Sequence, residues 1–237
     1  MAERQGLLET MADLFVPIHR EGHRFIALAA LATLVLFIIA SPLGWIGALA
    51  TIAIAAMFRD PDRVVPLRDG LIVSPADGRV IAIEEIMPLA ELALGPEPRV
   101  RVAIALSPFD VHVTRCPMAG TLARSLYMPG AFLNPTLDKA SEGNERRVSV
   151  IRPDRGAEIA VVQIAGIFSR RIVVFIADGT QVGAGERLGL IRLGSRVDLY
   201  LPPEHGALVA VGQRMVGGET VIADMTSTEA GREARRI

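Results

Sequence analysis

Apolar positions in this chain fall into two regimes. From residue 25 to residue 58 no charged side chain occurs, and the run is built largely of Ala, Leu, Ile, Val and Phe. Wholly helical at ~1.5 Å per residue, it would be about 50 Å long, well beyond a ~30 Å hydrocarbon layer. Ser41-Pro42-Leu43-Gly44 lies in its middle, and Pro42 with Gly44 predicts a break there. The expectation is a helical hairpin with arms of roughly 14 to 16 residues. Both flanks are basic: Arg20, His23 and Arg24 before, Arg59, Arg63 and Arg68 after. The positive-inside rule then puts both ends on the cytoplasmic side. The run is too long and begins too late for a cleaved signal peptide. It also lacks the charged face that a buried soluble hairpin would turn to water. It reads as a membrane anchor, dipping into or just crossing the inner leaflet, with Trp45 near the bend suited to an interface.

Beyond Arg59 the pattern changes to short apolar runs punctuated by Gly, Pro and Asp. Residues 70–73, 79–83, 99–106, 148–151, 158–164, 171–176, 187–191 and 197–201 read as strands. Their spacing suits an all-β sandwich or barrel and not βαβ units. Residues 88–94 fit a short helix or a loop. Residues 129–147 lack periodicity and make a connection of the length that is commonly functional. Residues 226–237 are small, polar and charged, the composition of a disordered tail. Val73-Ser74-Pro75-Ala76-Asp77-Gly78-Arg79-Val80 is echoed by Gln181-Val182-Gly183-Ala184-Gly185-Glu186-Arg187-Leu188-Gly189. Such turns resemble those of the barrel-sandwich hybrid folds in biotinyl, lipoyl and sugar-phosphotransferase domains, where glycine permits positive φ at sheet corners. The expected class is mainly β: a barrel-sandwich-hybrid-like catalytic domain (59–237) behind an N-terminal segment (1–24) and a helical membrane hairpin (25–58).

Composition narrows the chemistry. A net charge of -1, without an aromatic-and-basic stripe, gives no reason to expect nucleic acid. The single cysteine, Cys116, excludes an internal disulfide framework, is compatible with a reducing cytoplasm, and reads as a small buried hydrophobe. Lys139 is the only lysine, so a pyridoxal enzyme, a lysine-based aldolase or an acylated carrier would each depend on that one position. Leu137-Asp138-Lys139-Ala140 superficially matches a lipoyl attachment hairpin. Asn134-Pro135-Thr136 before it and Ser141-Glu142-Gly143-Asn144 after it offer no clean strands. A membrane-anchored lipoyl- or biotinyl-like carrier or binding module is therefore the second reading. The histidines and the cysteine show no metal-ligand spacing, so no metal is expected.

The sharpest chemical feature is Arg192-Leu193-Gly194-Ser195-Arg196, set between two strand-like runs. A Gly-Ser bond is usually just a turn, but one held in a constrained turn can break itself. The serine hydroxyl attacks the glycine carbonyl, the amide becomes an ester, and elimination leaves a new chain beginning with a pyruvoyl group. That reaction needs a base, oxyanion donors and pre-organisation. Imidazole is the natural base near neutral pH. Of the four histidines, His19 and His23 precede the anchor and His205 lies in a downstream turn. His112 follows Ser107-Pro108-Phe109-Asp110 in a strand-like stretch and is the candidate.

Phe58-Arg59-Asp60-Pro61, Ser74-Pro75-Ala76-Asp77-Gly78, Ser107-Pro108-Phe109-Asp110-Val111-His112, Gln163-Ile164-Ala165-Gly166 and Gly194-Ser195 occur in the order seen in phosphatidylserine decarboxylases. The resemblance runs from about residue 25 to about residue 222 and is closest to the short bacterial form. It implies self-cleavage between Gly194 and Ser195 into a large subunit (1–194) and a small one (195–237). Ser195, as pyruvoyl, would form a Schiff base with the amine of phosphatidylserine, giving phosphatidylethanolamine and carbon dioxide without a metal. The resemblance further implies catalytic roles for His112 and Asp77 and a place on the cytoplasmic face of the inner membrane. The partners would be the lipid and the enzyme's own cleaved subunit, and the chain is compatible with a homo-oligomer. Arg146, Arg147, Arg170 and Arg171 are candidates for the substrate phosphate. One departure stands out. Many family members carry a second histidine three residues after the first, the usual partner of the aspartate and serine in cleavage. Here it is Arg115, which stays protonated and cannot be a general base. Either His112 serves both steps, or Asp77 activates Ser195 more directly, or a water takes part.

Overall fold

Two helices of equal length carry the long apolar run: α1 (His23–Ile39) and α2 (Ser41–Met57). The computed structural model describes residues 16–130, 143–166, 171–192, 196–203, 205–227, 229 and 231, and the chain divides into two units, 1–62 and 63–237. The break between the helices falls at Ala40 (φ -161°, ψ 130°), ahead of the expected position. Ser41-Pro42-Leu43-Gly44 forms the first turn of α2, because a proline's missing N–H needs no partner at a helix start. Pro42 thus opens the second helix and does not interrupt the first.

The helices meet through small residues. A Cβ on Gly44 would stand 2.1 Å from the Phe37 ring, and one on Gly47 would stand 2.9 Å from Thr33 Oγ1. The Thr33 and Thr51 hydroxyls meet across the interface at 2.9 Å, which satisfies polar groups inside an apolar hairpin. At the open end His19 N–H donates to the Phe58 carbonyl and Asp60 N–H to that of Pro17, while Phe25 stacks on Phe58. The outward faces are apolar, with Leu28, Leu34, Ile38, Trp45, Leu49 and Ile52 all exposed. Residues 20–39, which contain an 18-residue stretch of mean hydropathy 2.0, are long and apolar enough to cross a membrane.

Among the described residues the second unit is mainly strand and turn. Its strands are β1 (Leu71–Val73), β2 (Gly78–Ile86), β3 (Arg99–Ala105), β4 (Val113–Arg115), β5 (Gly120–Met128), β6 (Arg146–Arg152) and β7 (Ile159–Ile164). There follow β8 (Ile172–Val174), β9 (Gln181–Val182), β10 (Arg187–Ile191), β11 (Arg196–Tyr200), β12 (Arg214–Met215) and β13 (Val221–Asp224). An eight-stranded sheet has the order β12-β2-β3-β11-β7-β6-β5-β9, a three-stranded sheet β4-β10-β8, and a two-stranded sheet β1-β13. The large sheet curls into a half-barrel, as the mainly β expectation required. The 88–94 segment contains a 3-10 turn, Ala90–Leu92. β5 is a strand that the apolar pattern does not predict. Most of its side chains are only half-buried, so alternation is weak, and backbone pairing with β6 and β9 holds it.

The large sheet is built twice. β2 and β5 both start on a glycine of extreme φ, Gly78 (147°) and Gly120 (158°). Both carry a register shift at the same distance from that glycine, Val80/Ala82 and Leu122/Arg124. Each glycine is obligatory: a Cβ would stand 2.3 Å from the Ala105 carbonyl oxygen in one copy and 2.4 Å from that of Arg152 in the other. The turn Ser74-Pro75-Ala76-Asp77-Gly78 therefore corresponds to Cys116-Pro117-Met118-Ala119-Gly120, and only the first copy carries an acid. The halves meet where β11 pairs with β7.

One face of the sheet packs Val80, Val102, Ile104, Leu122, Val197 and Leu199 into the main core. The other buries Val148, Val150, Val162, Ile164 and Tyr200 under Leu92 and Leu94. Each such side chain contributes about 1.5–3 kcal/mol on burial. Strand alternation places Arg196 and Asp198 on the second face. There they pair with one another at 2.6 Å, each side chain 1% exposed, as buried charges must. Most of the 226–237 tail lies outside the described residues.

Candidate active site

Leu193, Gly194 and Ser195 lie outside the described residues, as do Arg170 and Lys139. The strands on either side of the Gly194-Ser195 bond are described. β10 ends at Ile191, held between β4 and β8, and β11 begins at Arg196, held between β3 and β7. Arg192 N–H donates to the Arg171 carbonyl at 3.1 Å, and Ile191 N–H donates to the His112 carbonyl at 3.1 Å. The backbone of His112 is thus tied to the strand that leads into the Gly-Ser bond.

His112 is 2% exposed and stands just before β4. Two positions on, the fully buried Thr114 accepts a hydrogen bond from Gln163 Nε2 at 3.0 Å. Gln163 lies on β7 directly opposite Val197 of β11. The amide therefore links β7, the neighbour of β11, to β4, which His112 immediately precedes. Gly189 of β10 makes this approach feasible, since a Cβ there would lie 2.4 Å from the Val173 carbonyl oxygen and 3.3 Å from Gln163 Nε2. Cys116 is fully buried. Burial, reinforced by the charge of Glu186, pushes its thiol up to about 12, so it is no nucleophile at neutral pH.

Asp77 sits in the turn between β1 and β2. Among the described residues its carboxylate takes a hydrogen bond from the Gly217 amide at 2.7 Å and an ion pair from Arg63 at 2.9 Å. Ser74 Oγ ties the same turn down by donating to the Ala76 carbonyl. Arg115 is buried, and its guanidinium donates to the Gly185 carbonyl at 2.9 Å. Its Cδ lies 3.2 Å from where a Cβ on Gly218 would be, and the Arg63 Cβ lies 3.6 Å from that point. The Arg63 and Arg115 side chains therefore cross the Gly217-Gly218 turn together, beside Asp77. Arg63, Thr114 and Gln163 are the residues that sequence reasoning missed. Arg63 is a flanking charge by composition alone, and Gln163 had only its place in a motif as a signal.

The arginines considered for phosphate are in different situations. Arg146 is buried and bound to Glu91, with Nε at 2.8 Å. Arg147 donates to Ser125 Oγ at 2.9 Å. Arg171 is exposed. No group of three or more His, Cys, Asp or Glu able to hold a metal occurs among the described residues.

Comparison with known proteins gives one consistent answer. Residues 51–223 match the phosphatidylserine decarboxylase family. A phosphatidylserine decarboxylase proenzyme of Cereibacter sphaeroides is 53% identical over 95% of this chain and 97% of its own. That of Nitrobacter winogradskyi is 52% identical over 98% of this chain and 93% of its own. Among solved structures, the glucose permease IIA from Mycoplasma capricolum aligns over 65% of this chain and 93% of its own. Its TM-score is 0.37 and its identity 14%, too low to carry an argument.

Proposed function

Because this chain belongs to the phosphatidylserine decarboxylase family, and is thus a carboxy-lyase, we propose that it cuts itself between Gly194 and Ser195 and then converts phosphatidylserine to phosphatidylethanolamine and carbon dioxide. The relatives' designation as proenzymes supports the self-processing. The observation that carries it is the topology of the segment after the cut. β11 pairs with β3 and β7, β12 with β2, and β13 with β1. All three strands described in 195–237 are thus anchored on strands of 1–194. A break at this point costs none of the pairings among the described residues, and the two pieces stay together as a heterodimer.

Cleavage begins when Ser195 Oγ attacks the Gly194 carbonyl carbon. The C–N bond breaks, the amide nitrogen becomes the amine of residue 195, and an ester joins the pieces. Loss of the α-proton of residue 195 expels the Gly194 carboxylate, and water then replaces the amine as ammonia, leaving a ketone. Arg115 cannot take the hydroxyl proton. Asp77, fixed by Arg63 and Gly217, is the group we assign to cleavage. The neighbouring residues suit such a ketone: Thr114 and Gln163 are buried polar side chains on β4 and β7, which are bonded to β10 and β11, and buried His112 immediately precedes β4. Once formed, it supplies an electron-withdrawing carbonyl that joins the substrate amine and takes up the electron pair left by carbon dioxide. His112 returns a proton to the carbon that has lost its carboxylate. The hairpin holds the enzyme at the inner membrane, with the catalytic unit on the cytoplasmic face where the lipid is presented.

Carbon dioxide release from phosphatidylserine vesicles tests this reading, together with loss of activity on borohydride treatment that reduces a ketone at residue 195. A fully active protein with an intact Gly194-Ser195 bond would overturn it.

A further inference from the structure

A recess of about 400 Å³ opens at one end of the eight-stranded sheet, lined by Arg79, Ala105, Ser107, Asp110 and Arg214 among others. Strand register fixes where it lies. Arg214 of β12 is opposite Arg79 of β2, Arg79 is opposite Ala105 of β3, and Ala105 is opposite Arg196 of β11. Directly opposed residues of antiparallel strands point to the same face. Arg214, Arg79 and Ala105 thus form a row that ends at Arg196, one residue after Ser195. At ~4.8 Å per strand, the Arg79 backbone is about 10 Å from β11, a span that an arginine side chain and a phosphoserine headgroup can divide between them.

Two arginines opposed across neighbouring strands repel each other, so the pair calls for an anion. Asp110 does not meet that need alone. One of its oxygens accepts from Ser107 N–H at 2.8 Å and the other from Arg214 at 2.9 Å, so it aims Arg214 and leaves the recess net positive. Arg79 gives one donor to the Gly212 carbonyl at 2.6 Å. Both arginines are exposed, and each guanidinium has five donors in all. Next to these groups in the chain stand Phe109 and Val211, exposed by 75% and 62%. A bound anion would therefore have apolar surface beside it, the arrangement of a phosphodiester attached to glycerol and acyl chains.

We infer that this recess takes the phosphodiester of the lipid substrate, with Arg79 and Arg214 as its binding residues and Asp110 as the positioning residue for Arg214. This assignment rests on the decarboxylase reading of the chain. It replaces Arg146, whose guanidinium is bound to Glu91 inside the protein.

The test uses full-length processed enzyme in detergent and short-chain lipids below their micelle concentration. Calorimetry measures binding of monomeric phosphatidylethanolamine, which carries the phosphodiester and needs no turnover. Kinetics give KM and kcat for monomeric phosphatidylserine. Loss of charge-assisted hydrogen bonds in Arg79→Ala or Arg214→Ala should raise Kd and KM about 10- to 100-fold. Both variants should still cut themselves, with kcat changed about threefold at most. Arg79→Lys should recover part of the affinity, because it keeps the charge and loses the fork. Arg79→Ala, at an exposed position, carries the test alone if Arg214→Ala leaves Asp110 stranded and unfolds. Affinity within about twofold of the parent on monomeric lipid would overturn the assignment. A loss seen only on anionic vesicles would overturn it too, since it would make the arginines membrane-surface charges. An enzyme that binds monomeric lipid through Arg79 but releases no carbon dioxide would count against the decarboxylase reading and for the recess.

Discussion

A single guanidinium nitrogen of Arg63 lies 2.9 Å from both carboxylate oxygens of Asp77, while the Gly217 amide reaches one of those oxygens from the opposite end of the chain. With the side chains 11% and 12% exposed, the pair is largely shielded from water. Removing one partner of such a pair leaves an uncompensated charge. Arg63→Ala should therefore cost about 3 kcal/mol, measured by urea unfolding, and slow self-cleavage on gels. Arg63→Lys should recover part of both. An unchanged midpoint and cleavage rate in Arg63→Ala would mean that Gly217 alone positions Asp77.

The purified protein should consist of pieces 1–194 and 195–237 that co-elute and separate only on denaturation. Ser195→Ala should be one uncut, inactive chain. Intact mass spectrometry decides both points, and a wild-type protein of undivided mass with activity would remove the mechanism.

Asp77 and His112 should fail in different ways. Asp77→Ala should block processing. His112→Ala should still yield two pieces but lose about 10²- to 10⁴-fold in decarboxylation, the usual contribution of a general acid. Gel electrophoresis separates the cases. If His112→Ala stays uncut, the same imidazole serves both steps.

Deleting residues 1–58 should release a catalytic unit that still cuts itself but decarboxylates lipid in vesicles poorly. The full chain should sediment with inner membrane, and reporters at either terminus should face the cytoplasm. A periplasmic reporter ahead of residue 25 would refute the hairpin topology.

Cys116 gives an alkaline signature. An unfolded thiol ionises near pH ~8.5, whereas burial, with Glu186 adding to it, holds the folded one up to about 12. Between these values the unfolded chain has lost a proton that the folded chain keeps. The stabilising contribution is therefore whole below the unfolded value and falls as pH rises through this window. Cys116→Ala should flatten that fall in unfolding curves measured from pH ~8 to ~11. Maleimide at pH 8 should label the protein only after unfolding; rapid labelling of the native chain would show the thiol to be accessible.

Local sequence determined whatever depends on a few neighbouring residues. The uncharged run of residues 25–58 specifies an apolar helical pair, and Pro42 marks where the second helix starts. Asp77 and Gly78 specify a turn, and Gly194-Ser195 marks the bond proposed to break itself. The apolar pattern found the well-buried strands β3, β7 and β11 and missed β5, whose half-exposed side chains give no alternation. Tertiary structure alone decided which strands are neighbours. Nothing near residue 196 announces that β11 inserts between β3 and β7, since pairing follows from burial across the whole sheet and backbone hydrogen bonds carry no residue identity. Other tertiary contacts were equally out of reach: Gln163 on Thr114, Arg63 on Asp77, and Arg79 opposite Arg214. Each joins residues on different strands or turns, and its geometry exists only once those segments have packed together.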